Sequence, residues 1–436
     1  MRARGARTML FSMRGPAILC AAVLCACGSS GSAVPTWHRD VRSIVAANCT
    51  ECHTTGAIGP FALESYRDVV ARQGLVREQV ESRKMPPWPP GAGCAEYAGD
   101  RSLPDKDRAT LLSWLDHGAP EGDPADARAA SPPAPAGLSR ADRDLRLPAP
   151  YSPVQVPDEY RCFLLDWPET QRRYVTGFVA TPGNAAIVHH VLVFVATPDR
   201  LAQFQALDDA DPAPGYKCFG GPGGVTPVLG AWAPGSRGGD FPAGTGVPVD
   251  PGSKLILQIH YNMTRGTGPV DQTSIQLKLD AAVTREAFLL PWANPSWVNA
   301  HSMPIPAGNP DVRHAFTFAP APYLGIITSN AIPPGPFTVY AAASHQHLRG
   351  TRNRLEIQRA SGAKECLLDI PRWDFHWQGS YALKVPTRVQ PGDSLSIECH
   401  WDNSAKNQPA GIVPHELNWG EGTDDEMCLG FLYITQ

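Results

Sequence analysis

The sequence predicts a multidomain chain, with a small all-α unit followed by two all-β jelly-roll sandwich units. Three observations carry this prediction. Apolar residues recur at helical spacing between residues 37 and 120. Residues 121–150 are rich in Pro, Ala and charge and show no apolar period, as in a linker. From Tyr151 onward the apolar runs are short and broken by Gly and Pro, as in strands. The 436 residues leave room for several domains of about 100–200 residues each. Apolar residues make up 43% and charged residues 18%, with 44 Pro and 40 Gly, which excludes a disordered chain, a collagen and a coiled coil. The net charge of −4 excludes a strongly basic nucleic-acid binder.

Residues 1–26 have the pattern of a bacterial export signal. They carry Arg2, Arg4, Arg7 and Arg14 and no acid, then an apolar run from Gly15 to Leu24. That run is shorter than the roughly 20 residues that span a bilayer. Leu24-Cys25-Ala26-Cys27 resembles a lipoprotein signal, with Cys27 as the lipidated residue; an ordinary secretory signal is the alternative, and Met13 is an alternative start. The expectation is an exported protein of the cell envelope, held to a membrane by lipid only. Gly28 after Cys27 favours the outer membrane.

The helical unit, 37–120, is built from three stripes: Val41, Ile44 and Val45; Leu63, Tyr66, Val69 and Val70; Leu111, Leu112 and Leu115. Ser102 with Asp105 predicts a capping box ahead of the third stripe, and Gly118 predicts its C-cap. Cys49-Thr50-Glu51-Cys52-His53 is a CxxCH, which fits two thioethers to heme c and an imidazole on its iron. A zinc CxxC is the competing reading, and the export signal argues against it. Met85, in Met85-Pro86-Pro87-Trp88, is the candidate sixth ligand, with His38 and His117 as competitors. The segment resembles the small class I-like cytochrome c domains, which implies an all-α cytochrome c domain at this end.

The β region offers strands at Tyr174–Ala180, Ile187–Val195, Lys254–Tyr261, Ser274–Leu279, Phe337–His347, Ser394–Trp401 and Leu429–Ile434. Its length predicts two units, 151–290 and 291–436. Metal-binding residue types recur along it: His189-His190, His260, His345-Gln346-His347 and Met427. His345 and His347 share a face if they lie on one strand. Adjacent His189 and His190 need a bend to act together. Imidazoles with a thioether suit copper.

These motifs, in this order, resemble the copper type II, ascorbate-dependent monooxygenases, the family of the peptidylglycine alpha-hydroxylating and dopamine beta-monooxygenases. The resemblance covers 151–436. It implies two copper ions, one electron-donating on His189, His190 and His260, and one binding O₂ on His345, His347 and Met427. It implies a solvent cleft between the two sites, and disulfides Cys399–Cys428 and Cys162–Cys218. Cys94 and Cys366 are then left over. It also implies O₂ and a small organic substrate as partners, with ascorbate, an electron-donor protein or another one-electron reductant. The fused heme is a candidate relay for those electrons.

Peptidylglycine enzymes anchor a carboxylate where this chain has Ala343, and carry polar residues where it has Leu429 and Phe431. A neutral, fairly apolar substrate is therefore expected, nearer the catecholamine-type branch. The competing reading is a non-catalytic redox or copper-binding lipoprotein of the envelope. Trp373 and Trp377 are expected to pack. His301, His314, His376, His400 and His415 read as structural or surface residues. Asp424-Asp425-Glu426 reads as a solvated turn.

Overall fold

The computed structural model describes residues 33–55, 59–129, 137–234, 236–263, 270–328, 331–409 and 411–436. The signal segment 1–26 and the lipidation residue Cys27 lie outside the described residues. Among the described residues, no helix is long and apolar enough to cross a membrane.

Residues 37–120 are helical, with short segments at Trp37–Val41, Arg42–Asn48, Tyr66–Val70, Gln73–Glu81 and Asp105–Asp116. The predicted stripes meet in one small core of Val41, Val45, Leu63, Val69, Leu111 and Leu115 around Trp37 and Trp114. Gly118 closes the last helix at φ +80°. The predicted Ser102 capping box does not form. The helix starts at Asp105 behind Pro104, which has no side-chain acceptor. The capping box sits instead at Ser65 and Asp68.

Beyond residue 140 the chain is mostly strand. A five-stranded antiparallel sheet holds Asp158–Asp166, Lys254–Asn262 and Val188–Ala196 at its centre. A four-stranded sheet holds Val312–Phe318, Ser394–Trp401, Gly350–Gln358 and Lys364–Ile370, in that order. A nine-stranded sheet lies across both. One half of it packs Val175, Phe178, Ile275 and Leu277 onto the five-stranded sheet. The other half packs Val339, Ala342, Leu432 and Ile434 onto the four-stranded sheet. The result is two sandwich-like layers that share one long sheet.

Two expected boundaries change. The strand Arg143–Arg146 lies inside the expected 121–150 linker and pairs with Ser274–Asp280. The strand Arg285–Trp292 straddles the expected 290/291 division. It pairs with Thr245–Val249 on one side and Leu429–Thr435 on the other. Local pattern marks a strand but not its neighbours, so the continuity of the sheet was hidden. A helix at Leu201–Ala210 also interrupts the β region.

The segment after Met85 crosses from the helical core onto the second sandwich. Tyr97 is buried there, bridges Leu383 and donates its hydroxyl to the Leu367 carbonyl at 3.0 Å. The disulfide Cys94–Cys366 fixes the crossing. Two further disulfides join Cys162 to Cys218 and Cys399 to Cys428. Replacing Cys94 and Cys366 together by Ser is expected to speed tryptic cleavage at Arg83, Lys84 and Arg101 by about tenfold or more. Timed proteolysis followed by mass spectrometry reads this, and unchanged cleavage would mean that the Tyr97 packing alone holds the segment.

Candidate metal centre

His189 and His190 enter the site through an irregularity in their strand. Val188 pairs with Tyr261 and His190 pairs with His260, so His189 is an extra residue opposite a continuous partner. The bulge undoes the alternation that would send adjacent side chains to opposite faces. Nδ1 of His190 lies 3.3 Å from Nδ1 of His189 and 3.4 Å from Nδ1 of His260. Two imidazoles that share an ion at about 2.0 Å hold their nitrogens at about this spacing. The three residues form the cluster able to hold a metal ion among the described residues.

Outer partners fix each ring. His260 donates from Nε2 to Asp158 Oδ1 at 2.8 Å, leaving Nδ1 bare and facing the cluster. Burial would raise the Asp158 carboxyl, but hydrogen bonds from His260 and Thr423 outweigh it and hold the group down at about 2. Tyr160 stacks on His260 at 4.1 Å between ring centroids, and Phe375 stacks on His189 at 4.3 Å. Burial and the neighbouring imidazoles push His189 and His190 well below the usual histidine range, so both are neutral donors at neutral pH.

The second group lies at the end of the strand Phe337–His345. His345 is its last residue and His347 follows it, so the pair does not share a strand face as expected. Their ring centroids are 5.0 Å apart. His345 donates from Nδ1 to Gln378 Oε1 at 2.7 Å, and His347 from Nδ1 to the Asp425 carbonyl at 3.0 Å. Both Nε2 atoms are thereby left as donors to an ion. Burial depresses His345 to about 4 and carries His347 well below its usual range. Met427 is 5% exposed and lines the same cavity as His345 and His190.

The expected solvent cleft is narrow where the two groups meet, and His190 and His345 both line the cavity there. The rings of His190 and His345 are 6.0 Å apart, and Phe375 lies against both His189 and His347. The long shared sheet draws the two sandwiches together at this point.

Glu426 is the largest surprise. It was expected in a solvated turn but is fully buried. It accepts hydrogen bonds from the backbone N–H of His347 at 2.9 Å and of Arg349 at 2.6 Å, and from Trp401 Nε1 at 2.8 Å. Burial pushes it up to about 7 despite these donors. Asp158, Gln378 and Phe375 were also missed. Nothing local marks them, because their partners come from distant strands. Trp373 packs as expected and donates to the His347 carbonyl at 3.1 Å. His301 and His314 bond to backbone carbonyls and His400 pairs with Asp311 and Glu398, as structural residues do.

In the helical region, Cys49 caps the helix Arg42–Asn48, and Cys49 and Cys52 are free thiols. Burial, with Cys52 nearby, pushes Cys49 up to about 12. His53 donates from Nδ1 to the Phe61 carbonyl at 2.9 Å, which leaves Nε2 bare. A Cβ at Gly59 would sit 2.5 Å from the Cys52 carbonyl and 2.9 Å from His53 Nδ1, so Gly59 packs tightly on the motif. Met85 is 39% exposed, His117 is exposed, and His38 lies near Glu121.

Comparison with known proteins agrees with the β region. Residues 144–267 match the copper type II ascorbate-dependent monooxygenase N-terminal domain, and residues 324–435 match its C-terminal domain. Dopamine beta-hydroxylase of Canis lupus familiaris is 25% identical over 283 residues, covering 63% of this chain and 42% of that protein. Tyramine beta-hydroxylase of Caenorhabditis briggsae is 26% identical over 322 residues, covering 68% and 50%. Human dopamine beta-hydroxylase is 26% identical over 292 residues, covering 64% and 44%. The chain thus spans about half the length of these relatives. The two matched domains take up just over half of the chain, the first carrying His189, His190 and His260 and the second His345, His347 and Met427, and the chain belongs to the copper type II ascorbate-dependent monooxygenases.

Proposed function

We propose that this protein is a copper-dependent monooxygenase that hydroxylates a C–H bond of a small organic substrate with O₂. The observation that carries the reading is the convergence of two sets of neutral imidazoles on one cavity. His189, His190 and His260 would hold the electron-donating copper, and His345, His347 and Met427 the O₂-binding copper. When bound, the two copper ions would supply O₂ activation and one-electron transfer. Asp158, Gln378 and the Asp425 carbonyl each take the outer ring N–H of a ligand and so fix which nitrogen faces the ion. Phe375 and Tyr160 cover His189 and His260 and keep water from them. In the overall change, substrate C–H becomes C–OH and the second oxygen atom leaves as water. Two electrons and two protons come from the reductant, which is ascorbate in the family.

The reading extends to a c-type heme on Cys49, Cys52 and His53, with Met85 as sixth ligand, forming a cytochrome c domain at 37–120. The free, half-buried thiols of Cys49 and Cys52 and the bare Nε2 of His53 fit two thioethers and one axial imidazole. Heme, when bound, would supply a one-electron store. Contacts across the interface support a relay. Glu51 of the CxxCH pairs with Arg237. Arg372 donates to the carbonyls of Ser82 at 2.7 Å and Arg83 at 3.1 Å, and Arg101 lies over Trp377 at 5.5 Å. Phe375, between Arg372 and Trp377, reaches His189. An export signal at 1–26 and a lipid on Cys27, in the cell envelope, complete the reading.

The test is the metal content of the mature protein after heme maturation and copper loading. About two coppers and one covalently held heme iron per chain are expected. Iron without copper would overturn the monooxygenase reading. Copper without covalent heme would overturn the cytochrome reading alone.

A further inference from the structure

The cavity that meets His190, His345 and Met427 encloses about 890 Å³. That is near the top of the range of about 300–1,000 Å³ usual for small-molecule sites. Ala343, Leu429 and Phe431, each within four residues of His345 or Met427 in the chain, line it with apolar side chains. Leu192, Phe194 and Phe316 continue that apolar surface outward. Among the described residues no Lys, Arg or Asp lines it, and Glu421 is the one carboxylate there. Burial, with Asp425 nearby, pushes Glu421 up to about 7.

The mouth is equally apolar. Val225, Val298, Phe318, Tyr323 and Ile326 line the cavity and are also exposed, Ile326 at 81%. They account for five of the sixteen exposed large apolar side chains among the described residues. Scattered single apolar residues need no explanation, but a cluster at the rim of a cavity does. A small polar amine would leave most of this surface wet. A long apolar molecule would cover it.

We infer that the cavity takes an uncharged, elongated apolar substrate, an alkyl or aryl chain, whose reacting carbon lies at His345 and Met427 and whose tail leaves past Ile326. This rests on the monooxygenase reading for the reaction, but binding itself needs no metal. The reacting end is set by the metal ligands, and the length by the distance from them to the rim. The absence of Lys and Arg among the described lining residues selects against acids and peptide carboxylates.

The test is a fluorescence titration of the mature, copper-free protein with N-phenyl-1-naphthylamine, a neutral apolar probe. One saturable site is expected. 1-Dodecanol should displace the probe, whereas tyramine should fail to do so at about 100-fold higher concentration. Ile326→Asp places a charge on the rim at an exposed position and should weaken probe binding about tenfold. Val385→Asp, at another exposed apolar position, should not alter it. No saturable binding, equal effects of the two variants, or displacement by tyramine more readily than by 1-dodecanol would each overturn the inference. Copper content and O₂ uptake of the same preparation after copper loading test the monooxygenase reading separately. Protein that binds the probe without taking up copper would retain the apolar site and lose the reaction.

Discussion

Met427→Ile is expected to abolish substrate-dependent O₂ uptake and to lower copper content from about two ions per chain to about one. Met427 is buried at 5% in the core of the second sandwich, beside Cys428 and Leu432. Isoleucine is similar in volume, so the fold should lose less than about 1.5 kcal/mol. What disappears is the thioether, the one soft ligand of its set and the group that favours reduced copper. Changes to outer partners of metal ligands alone reduce activity by about 10–100-fold, so loss of a ligand should exceed that. His189, His190 and His260 do not depend on Met427 and should keep their ion. Oxygen-electrode rates and copper analysis of the purified variant read both effects. A variant that keeps two coppers and full turnover would remove Met427 from the site. In a non-catalytic copper-binding protein, the parent itself would show no substrate-dependent uptake.

The candidate ligands are legible in the sequence, and the residues that position them are not. Imidazole pairs at short spacing announce themselves by type, and the strands that carry them alternate cleanly. Val188–Ala196, Lys254–Asn262 and Leu429–Thr435 fall within a residue or two of their sequence-based limits. The bulge before His190 depends on pairing with Lys254–Asn262, some 70 residues away, and no local signal marks it. Asp158 takes its hydrogen bonds from His260 and from Thr423, 265 residues on. A carboxylate with such partners looks, in sequence, like any solvated acid. The same blindness to long-range pairing hid the sheet running through Arg285–Trp292, and with it the closeness of His190 to His345. The absent Ser102 cap has a local reason instead: Pro104 at the boundary starts the helix and overrides the Ser-x-x-Asp spacing.

Glu426→Ala is expected to be the most destabilising single change near the site. The carboxylate satisfies three buried donors at once, the N–H groups of His347 and Arg349 and the indole N–H of Trp401. Each of the three orphaned donors costs about 1–3 kcal/mol, so a loss of about 3–9 kcal/mol is expected. The methyl group also leaves space beside Trp401, which is itself fully buried. The change reaches the metal ligands through the backbone. Glu426 precedes Met427 and holds the amide of His347, so one side chain ties together two candidate ligands about 80 residues apart. Copper affinity at that site should fall about 10–100-fold while the His189, His190 and His260 site keeps its own. Glu426→Gln should be intermediate: it keeps one acceptor oxygen but turns an NH₂ group towards donors. Thermal unfolding and stepwise copper titration of both variants separate the two effects. A melting point within about 2 °C of the parent, with both copper steps intact, would show that water can replace the carboxylate and that the tie is dispensable.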